Sequence, residues 1–461
     1  MRTLAREIAT PPAARPTRHD ERANHAWDVG VVVFVNVGVI VAMWLRHGQL
    51  AADTGPGGLF TALGQITALL GTYAVLVELL LISRLPWLER YAGFDRLTVW
   101  HRWTGFATAW LLLCHVAFTT LGYAAGSSVS VWDQTLDFLQ HYPDVLMAFV
   151  ALALLAGVTV TSVRAARRRI DREAWHFIHL YAYLAIALAF AHQLAVGSDF
   201  TDDAVARAYW IALTVGAIGT VIISRVGAPI AFNVRHRLRV TAVVPEAPGI
   251  VSFTIGGRDL SSLAVRPGQF FIWRFMTKEG WWHAHPFSLS SGSANGDLRI
   301  TVKALGEDTC RLQNLRPGTR VFAEGPYGAF TADRGTGRGC VLIAGGIGIT
   351  PLRALLDEFA SGPRDVILLY RVASQTEVVF RDELARTATH PNVTVHLIVD
   401  ATIGDDETDS LGLPALRAMV PDLAERDAFV CGPVAMMGAV ARRLRALGLP
   451  KRRIHFERFD Y

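Results

Sequence analysis

Apolar residues fill the first half of the chain in long blocks, at 27–45, 59–82, 98–124, 143–163, 175–196 and 208–223. A helix needs about 20 such residues to cross the hydrocarbon core of a bilayer, so the pattern predicts six membrane-spanning helices. Beyond residue 232 the texture changes to short β-branched runs of alternating polarity between Gly and Pro turns: RLRVTAVVPEAPGIVSFTI, GQFFIWRF, LRITVKAL and TRVFAEGPYGAF. Period-two runs at this spacing predict an antiparallel β-barrel that ends near residue 333. From residue 340 strands alternate with helices, at 340–344, 366–370, 393–399, 428–431 and 453–456, which predicts a doubly wound α/β sheet. The expected organisation is multidomain: a tail at 1–26, a six-helix transmembrane bundle at 27–226, a β-barrel at 232–333 and an α/β nucleotide-binding domain at 338–461.

Composition agrees with an integral membrane protein that carries a soluble half, since 51% of the 461 residues are hydrophobic. The net charge of +5 comes mostly from arginines beside the spans: Arg84, Arg90 and Arg96, the cluster at 164–172, and Arg235, Arg237 and Arg239. The opposite loops carry Asp53, Asp133, Asp137, Asp199, Asp202 and Asp203. By the positive-inside rule both ends of the chain are cytoplasmic, in a plasma or inner membrane. No basic stripe interleaved with aromatics marks a nucleic-acid surface. The four cysteines, Cys114, Cys310, Cys340 and Cys431, are scattered, so neither a disulfide framework nor a protein-bound iron–sulfur cluster is expected. Residues 1–26 lack the apolar core of a signal peptide and read as a cytoplasmic tail.

Two of the apolar blocks carry paired histidines. His101 and His115 stand fourteen residues apart in one, His179 and His192 thirteen apart in the other. Each spacing separates two imidazoles by roughly 20 Å along a helix, one near each face of a bilayer. Ionisable groups there are costly and usually functional, and neutral imidazole ligates iron. Two facing helices can therefore clamp two stacked b-type haems, His101 with His179 on the cytoplasmic side and His115 with His192 on the far side. The plainer alternative is four histidines satisfied by neighbouring hydroxyls and carbonyls. A spacing of thirteen leaves the second ring about 140° from the first, which demands curvature, a bulge or a rotated ligand. His176, one turn before His179, competes for the inner position.

In the soluble half the strand at 340–344 runs into Gly345-Gly346-Ile347-Gly348-Ile349-Thr350-Pro351 and then a helix. Glycines between strand and helix let a pyrophosphate approach the backbone and the helix N-terminus. Cys431-Gly432-Pro433 ends the fourth strand, at the carboxyl edge where a nicotinamide would lie.

Together with His285-Pro286-Phe287-Ser288-Leu289-Ser290 and Gly325-Pro326-Tyr327-Gly328, these motifs resemble the NADPH oxidase and ferric reductase superfamily over residues 27–461. That family joins a six-helix haem domain to a ferredoxin-NADP reductase-like module. The resemblance implies FAD lined by His285, Pro286, Phe287 and Ser288, with the Ser288 hydroxyl in reach of the flavin. It sets Lys303, Gly306 and Thr309 at the FAD pyrophosphate, Cys431 beside the nicotinamide, and Tyr461 or Phe459 over the flavin. Soluble relatives carry Arg where His285 stands. Arg371, directly after the second strand, lies where a 2′-phosphate would bind, and no acidic residue stands there to take a ribose hydroxyl; this favours NADPH, with NADH the alternative.

The implied enzyme is an NAD(P)H-dependent flavocytochrome that passes electrons through FAD and two haems to an acceptor outside the membrane. Ferric or cupric chelate, dioxygen and a partner protein all remain open as acceptors. The competing class is a membrane-anchored flavin reductase without haem that donates to a partner protein.

Overall fold

The computed structural model describes residues 18–46, 55–92, 94–142, 144–167, 169–197, 203–291, 296–335, 337–400 and 409–458. Two compact units divide between Ile223 and Ser224.

The first unit is helical: α1 Arg18–Arg46, α2 Pro56–Leu81, α3 Pro86–Ala92, α4 Phe94–Ser127, α5 Val131–His141, α6 Val145–Ser162, α7 Arg164–Arg167, α8 Arg172–Val196 and α9 Ala204–Ile222. Among the described residues five runs are long and apolar enough to cross a membrane: Gly57–Leu81, Arg96–Ser127, Val145–Ser162, Ala174–Ala195 and Ala204–His236. The first expected span, 27–45, falls on α1, of which Gly30–Arg46 is a further, shorter apolar run.

Helices α2 and α4 pack antiparallel along a seam of small residues. Gly57, Gly64 and Gly71 recur every seven residues on α2 and meet Gly122 and Gly126, Thr119, and Leu112 of α4 in descending order. A β-carbon on Gly64 would overlap the Thr119 side chain and lie 3.0 Å from its amide nitrogen. Such contacts bring two backbones close, which is how helices associate where lipid removes the hydrophobic drive. The next seven-residue step reaches Glu78, whose carboxylate lies over Gly105 and accepts a hydrogen bond from the Thr108 hydroxyl at 3.0 Å.

The second unit opens on helix α10, Ala228–His236, eight residues upstream of the expected boundary at 232 when its start at Ser224 is taken. The Asn233 side chain fixes this helix to the barrel, its Nδ2 donating to Ala323 O at 2.7 Å and its Oδ1 accepting from Ala323 N at 2.8 Å. Strands β1 Arg239–Ala247, β2 Ile250–Gly256, β3 Phe270–Phe275, β4 His285–Ser288, β5 Leu298–Lys303 and β6 Val321–Tyr327 follow. They form two antiparallel sheets, ordered β1-β2-β5 and β4-β3-β6, stitched by the bridges Arg239 to Arg320 and Leu289 to Ile300. Phe253, Ile255, Phe271, Trp273 and Ile300 fill the space between. A short helix, α11 Glu307–Leu312, connects β5 to β6.

The α/β part is a five-stranded parallel sheet ordered β11-β10-β7-β8-β9, with β7 Gly339–Gly345, β8 Asp365–Val372, β9 Val393–Val399, β10 Asp427–Cys431 and β11 Ile454–Glu457. These are the five expected strands. Helices α12 Ile349–Ala360, α13 Arg381–Thr387, α14 Leu413–Met419 and α15 Val434–Ala446 accompany them. Every residue of β7 is buried, as a central parallel strand covered on both faces requires.

Gly64→Val should force α2 and α4 apart and destabilise the helical unit by about 1–3 kcal/mol, the range for overpacking. Thermal melts of the detergent-solubilised protein check it against Gly157→Ala, where a β-carbon meets nothing within 4 Å. Equal Tm values for the two variants would rule out the seam.

Candidate functional site

In the helical unit the structure brings His101 of α4 and His179 of α8 together edge-on, ring centroids 6.1 Å apart and planes at 71°. The Trp175 indole stacks on the other side of His179 at 4.9 Å, and the Arg167 guanidinium covers Trp175 at 4.7 Å. Trp175 is held in turn by its Nε1, which donates to Ser162 Oγ at 3.3 Å. His176 is exposed, so of the two competitors it is His179 that faces His101. The Nδ1 atoms of His101, His179 and His192 are buried without a hydrogen-bond partner. His115 differs: its Nδ1 lies 2.9 Å from Gly64 O, so Nδ1–H donates to that carbonyl and Nε2 is left for other work. Buried ring nitrogens without partners are costly, which argues against hydroxyl-satisfied structural histidines at three of the four positions.

In the soluble unit the two glycine turns interlock. Ala344 pairs with Cys431 across β7 and β10, so both turns leave the sheet at one level. A β-carbon on Gly348 would overlap the Cys431 carbonyl, and one on Gly432 would come within 3.0 Å of Gly345. Gly346 takes φ +53, a left-handed conformation that glycine adopts without strain, in open space. Thr350 and Pro351 are buried in the first turn of α12, and the Thr350 hydroxyl donates to Ile347 O at 3.1 Å. The arrangement leaves bare backbone at a helix start, which suits a pyrophosphate. Cys431 itself has no exposed surface, and burial pushes its thiol well up, so it is neutral and sealed; the turn's contribution is its backbone.

On β4 the rings of His285 and Phe287 stack in parallel, 5.6 Å apart at 2°, and His283 continues the row. Burial lowers the pKa of His285, so the ring is neutral at neutral pH. Pro286 is half-buried and Ser288 buried on the same strand. Thr309 Oγ1 accepts from the amides of Leu305 and Gly306 at 2.9 and 3.0 Å, folding that loop around itself. Lys303 Nζ pairs with Glu377 at 3.1 Å. Phe459 and Tyr461 lie outside the described residues.

Three family models match the chain in series: a ferric reductase like transmembrane component over 67–190, an FAD-binding domain over 253–331 and an oxidoreductase NAD-binding domain over 342–442. The chain has the ferric reductase/NADPH oxidase-type architecture. It carries the domains of an NAD(P)H-dependent oxidoreductase. Among its relatives, a glycine betaine monooxygenase reductase subunit of Chromohalobacter salexigens is 27% identical over 49% of this chain and 65% of its own length. A ferredoxin–NADP reductase B of Sorangium cellulosum is 27% identical over 48% of this chain and 96% of its own. The ferredoxin reductase component of a 3-ketosteroid-9-alpha-monooxygenase of Mycolicibacterium smegmatis is 31% identical over 48% and 65%. The chain thus spans just under two thirds of the first and third of these relatives.

Against this architecture Arg371 is the residue that departs from expectation. Strand β8 runs on to Val372, so Arg371 lies within it and is 5% exposed. Its Nη1 meets Asp409 at 3.1 Å, and its Nε donates to Asp400 O at 3.2 Å. Asp400 and Asp409 were invisible as its partners because they lie 29 and 38 residues downstream. The sequence also gave no sign that Arg299 of β5 would grip Glu383 of α13 through both guanidinium nitrogens, at 2.5 and 2.9 Å, while Arg353 joins at 3.1 Å. Burial pushes the Glu383 pKa up, but the two guanidiniums outweigh it and hold the carboxyl below its usual range.

Gly348→Ala should separate the two turns, costing about 1–3 kcal/mol of stability and weakening nicotinamide-nucleotide binding. Gly346→Ala carries only the left-handed strain of about 1 kcal/mol. Thermal melts with nucleotide titrations compare them, and equal losses would show that the contact with Cys431 is not what holds the loop.

Proposed function

We propose that this protein carries electrons from cytoplasmic NAD(P)H through FAD and two b-type haems across the membrane to a one-electron acceptor, a ferric or other metal chelate or dioxygen. The observation that carries this reading is the facing pair His101 and His179. A metal–imidazole bond is about 2 Å and each ring centre lies about 1 Å behind its nitrogen, so an iron midway sets the centres about 6 Å apart. The observed 6.1 Å fits.

When bound, FAD supplies the conversion of a two-electron hydride into single electrons and haem iron supplies the one-electron relay. The chain's own residues do the rest. Trp175, backed by Arg167, fixes the plane of His179, and the Gly64 carbonyl fixes the tautomer of His115 so that Nε2 is the nitrogen that would hold iron. His115 and His192 would hold the second haem. Neutral His285, with Phe287, Pro286 and Ser288, would line the flavin, and the loop at Gly306 and Thr309 with Lys303 its pyrophosphate. Gly345, Gly346, Gly348 and the start of α12 would receive the nicotinamide nucleotide, beside Gly432 and Pro433. Tyr461 or Phe459 would cover the flavin until nicotinamide displaces it. The arginine-rich loops favour a cytoplasmic soluble unit and cytoplasmic termini, with α1 as the sixth span of this reading.

The relatives named as reductase components favour a second reading, a membrane-anchored reductase without haem that serves a partner protein. A reduced-minus-oxidised visible spectrum of purified protein separates the two. Sharp b-type bands are expected, with His101→Ala and His179→Ala each losing one haem while NAD(P)H still reduces the flavin. Flavin absorption alone in the unmodified protein would sink the flavocytochrome reading.

A further inference from the structure

We infer that the nucleotide pocket is built for NADH rather than NADPH, with Arg371 withdrawn from phosphate binding and Asp400 offered to the ribose instead. This rests on the proposal that the soluble unit oxidises a nicotinamide nucleotide.

Strand register locates the residues. Gly345, the first residue of the glycine turn, pairs with Arg371 on β8, and Arg371 pairs with Ile398 on β9. Asp400 follows two residues later, its amide donating to Val372 O at 2.9 Å. The glycine turn, Arg371 and Asp400 therefore lie side by side on the carboxyl edge of the sheet, where an open α/β fold binds its ligand.

A 2′-phosphate needs a cation with donors to spare, and Arg371 has given its donors to the protein. Nη1 is 3.1 Å from Asp409, Nη2 is 3.4 Å from Asp400 Oδ2, and Nε is bound to the Asp400 carbonyl. The Asp409 side chain has no exposure and is shared with Arg443 of α15, at 2.8 Å, while its other oxygen also accepts from Leu411 N at 3.0 Å. Turning Arg371 toward a phosphate would strand part of this buried carboxylate's pairing, which is strongly unfavourable. The four side chains Arg371, Arg443, Asp400 and Asp409 sum to zero charge, so the group presents no positive field to a phosphate that carries between one and two negative charges. Asp409 is enclosed, whereas the Asp400 side chain keeps 25% of its surface. Of these four groups the accessible charge is therefore the Asp400 carboxylate, which repels a 2′-phosphate and accepts a hydrogen bond from a 2′-hydroxyl.

The test is steady-state flavin reduction by NADH and by NADPH in the full-length, FAD-loaded protein in detergent, with Asp400→Asn and Asp400→Ser beside it. The unmodified protein should favour NADH by about tenfold or more in kcat/KM. Both variants should gain activity with NADPH and lose it with NADH, so that the ratio falls by about fivefold or more. Flavin content and Tm report whether the variants fold, and the two differ enough in size that a packing defect in one would not be shared. NADPH preferred by the unmodified protein would overturn the inference. So would a preference unmoved by either substitution, or an NADPH preference lost in Arg381→Ala, which would place the phosphate at the Ser374–Thr376 hydroxyls beside that arginine. Oxidation of neither nucleotide would instead overturn the underlying proposal.

Discussion

Gly64 can touch Thr119 only because it has no side chain, and a good deal of the helical unit follows from that contact. With the backbones of α2 and α4 so close, the Gly64 carbonyl reaches across to the His115 ring and takes its Nδ1 proton as a hydrogen bond. The same carbonyl also accepts from the Thr67 hydroxyl at 2.9 Å, so two side-chain donors converge on one oxygen of the seam. Were the helices a methyl group farther apart, His115 would lose the partner that sets its tautomer. The same seven-residue seam carries Glu78 to Gly105, where missing side-chain volume makes room for a carboxylate within the packed pair. Packing and polar satisfaction are thus one constraint in this unit.

The soluble unit meets a comparable constraint with different parts. Gly348 and Gly432 let the start of α12 and the end of β10 share a space in which any β-carbon would collide. That closeness holds both turns at one level of the sheet, which a nucleotide spanning them requires. Between barrel and sheet the contacts are of another kind: Arg299, itself lying over Phe380 at 4.7 Å, joins Glu383, and Lys303 joins Glu377. Lys303 was expected at a pyrophosphate, and its pairing with Glu377 leaves it only half-buried, so both uses compete for one ammonium. Partly exposed ion pairs of this sort contribute little stability individually.

Much of this was legible in the sequence, for physical reasons that also explain what was not. Strand and turn positions could be read because parallel strands buried on both faces are almost wholly apolar, as in GCVLIAG of β7, and because glycine clusters punctuate them. The histidine pairs stood out because, apart from Arg102 and His176, the two blocks carry no other charged or imidazole side chain. The glycine seam is present in the sequence as a period of seven at 57, 64 and 71. The fate of Arg371 was not legible at all: a strand-end arginine looks alike whether its partner is a ligand or an aspartate 38 residues away. Asn233 posed the same difficulty, since nothing local says that its amide will pair with Ala323 ninety residues later.

The spacing of thirteen between His179 and His192 is the feature that helix geometry alone made awkward. Helix α8 runs unbroken from Arg172 to Val196, so no break in the helix turns the second ring back to the face of the first. The contacts of α8 at its two levels supply another answer. At His179 the helix faces α4, through His101. At Gln193, the neighbour of His192, it faces α2, where Gln193 Nε2 donates to Thr72 Oγ1 at 2.8 Å. A helix that crosses from one member of a packed pair to the other presents a different face to that pair at each level. A strict repeat of fourteen from His179 would fall on residue 193, the position that meets α2, so the spacing of thirteen sets His192 about 100° to one side of that contact.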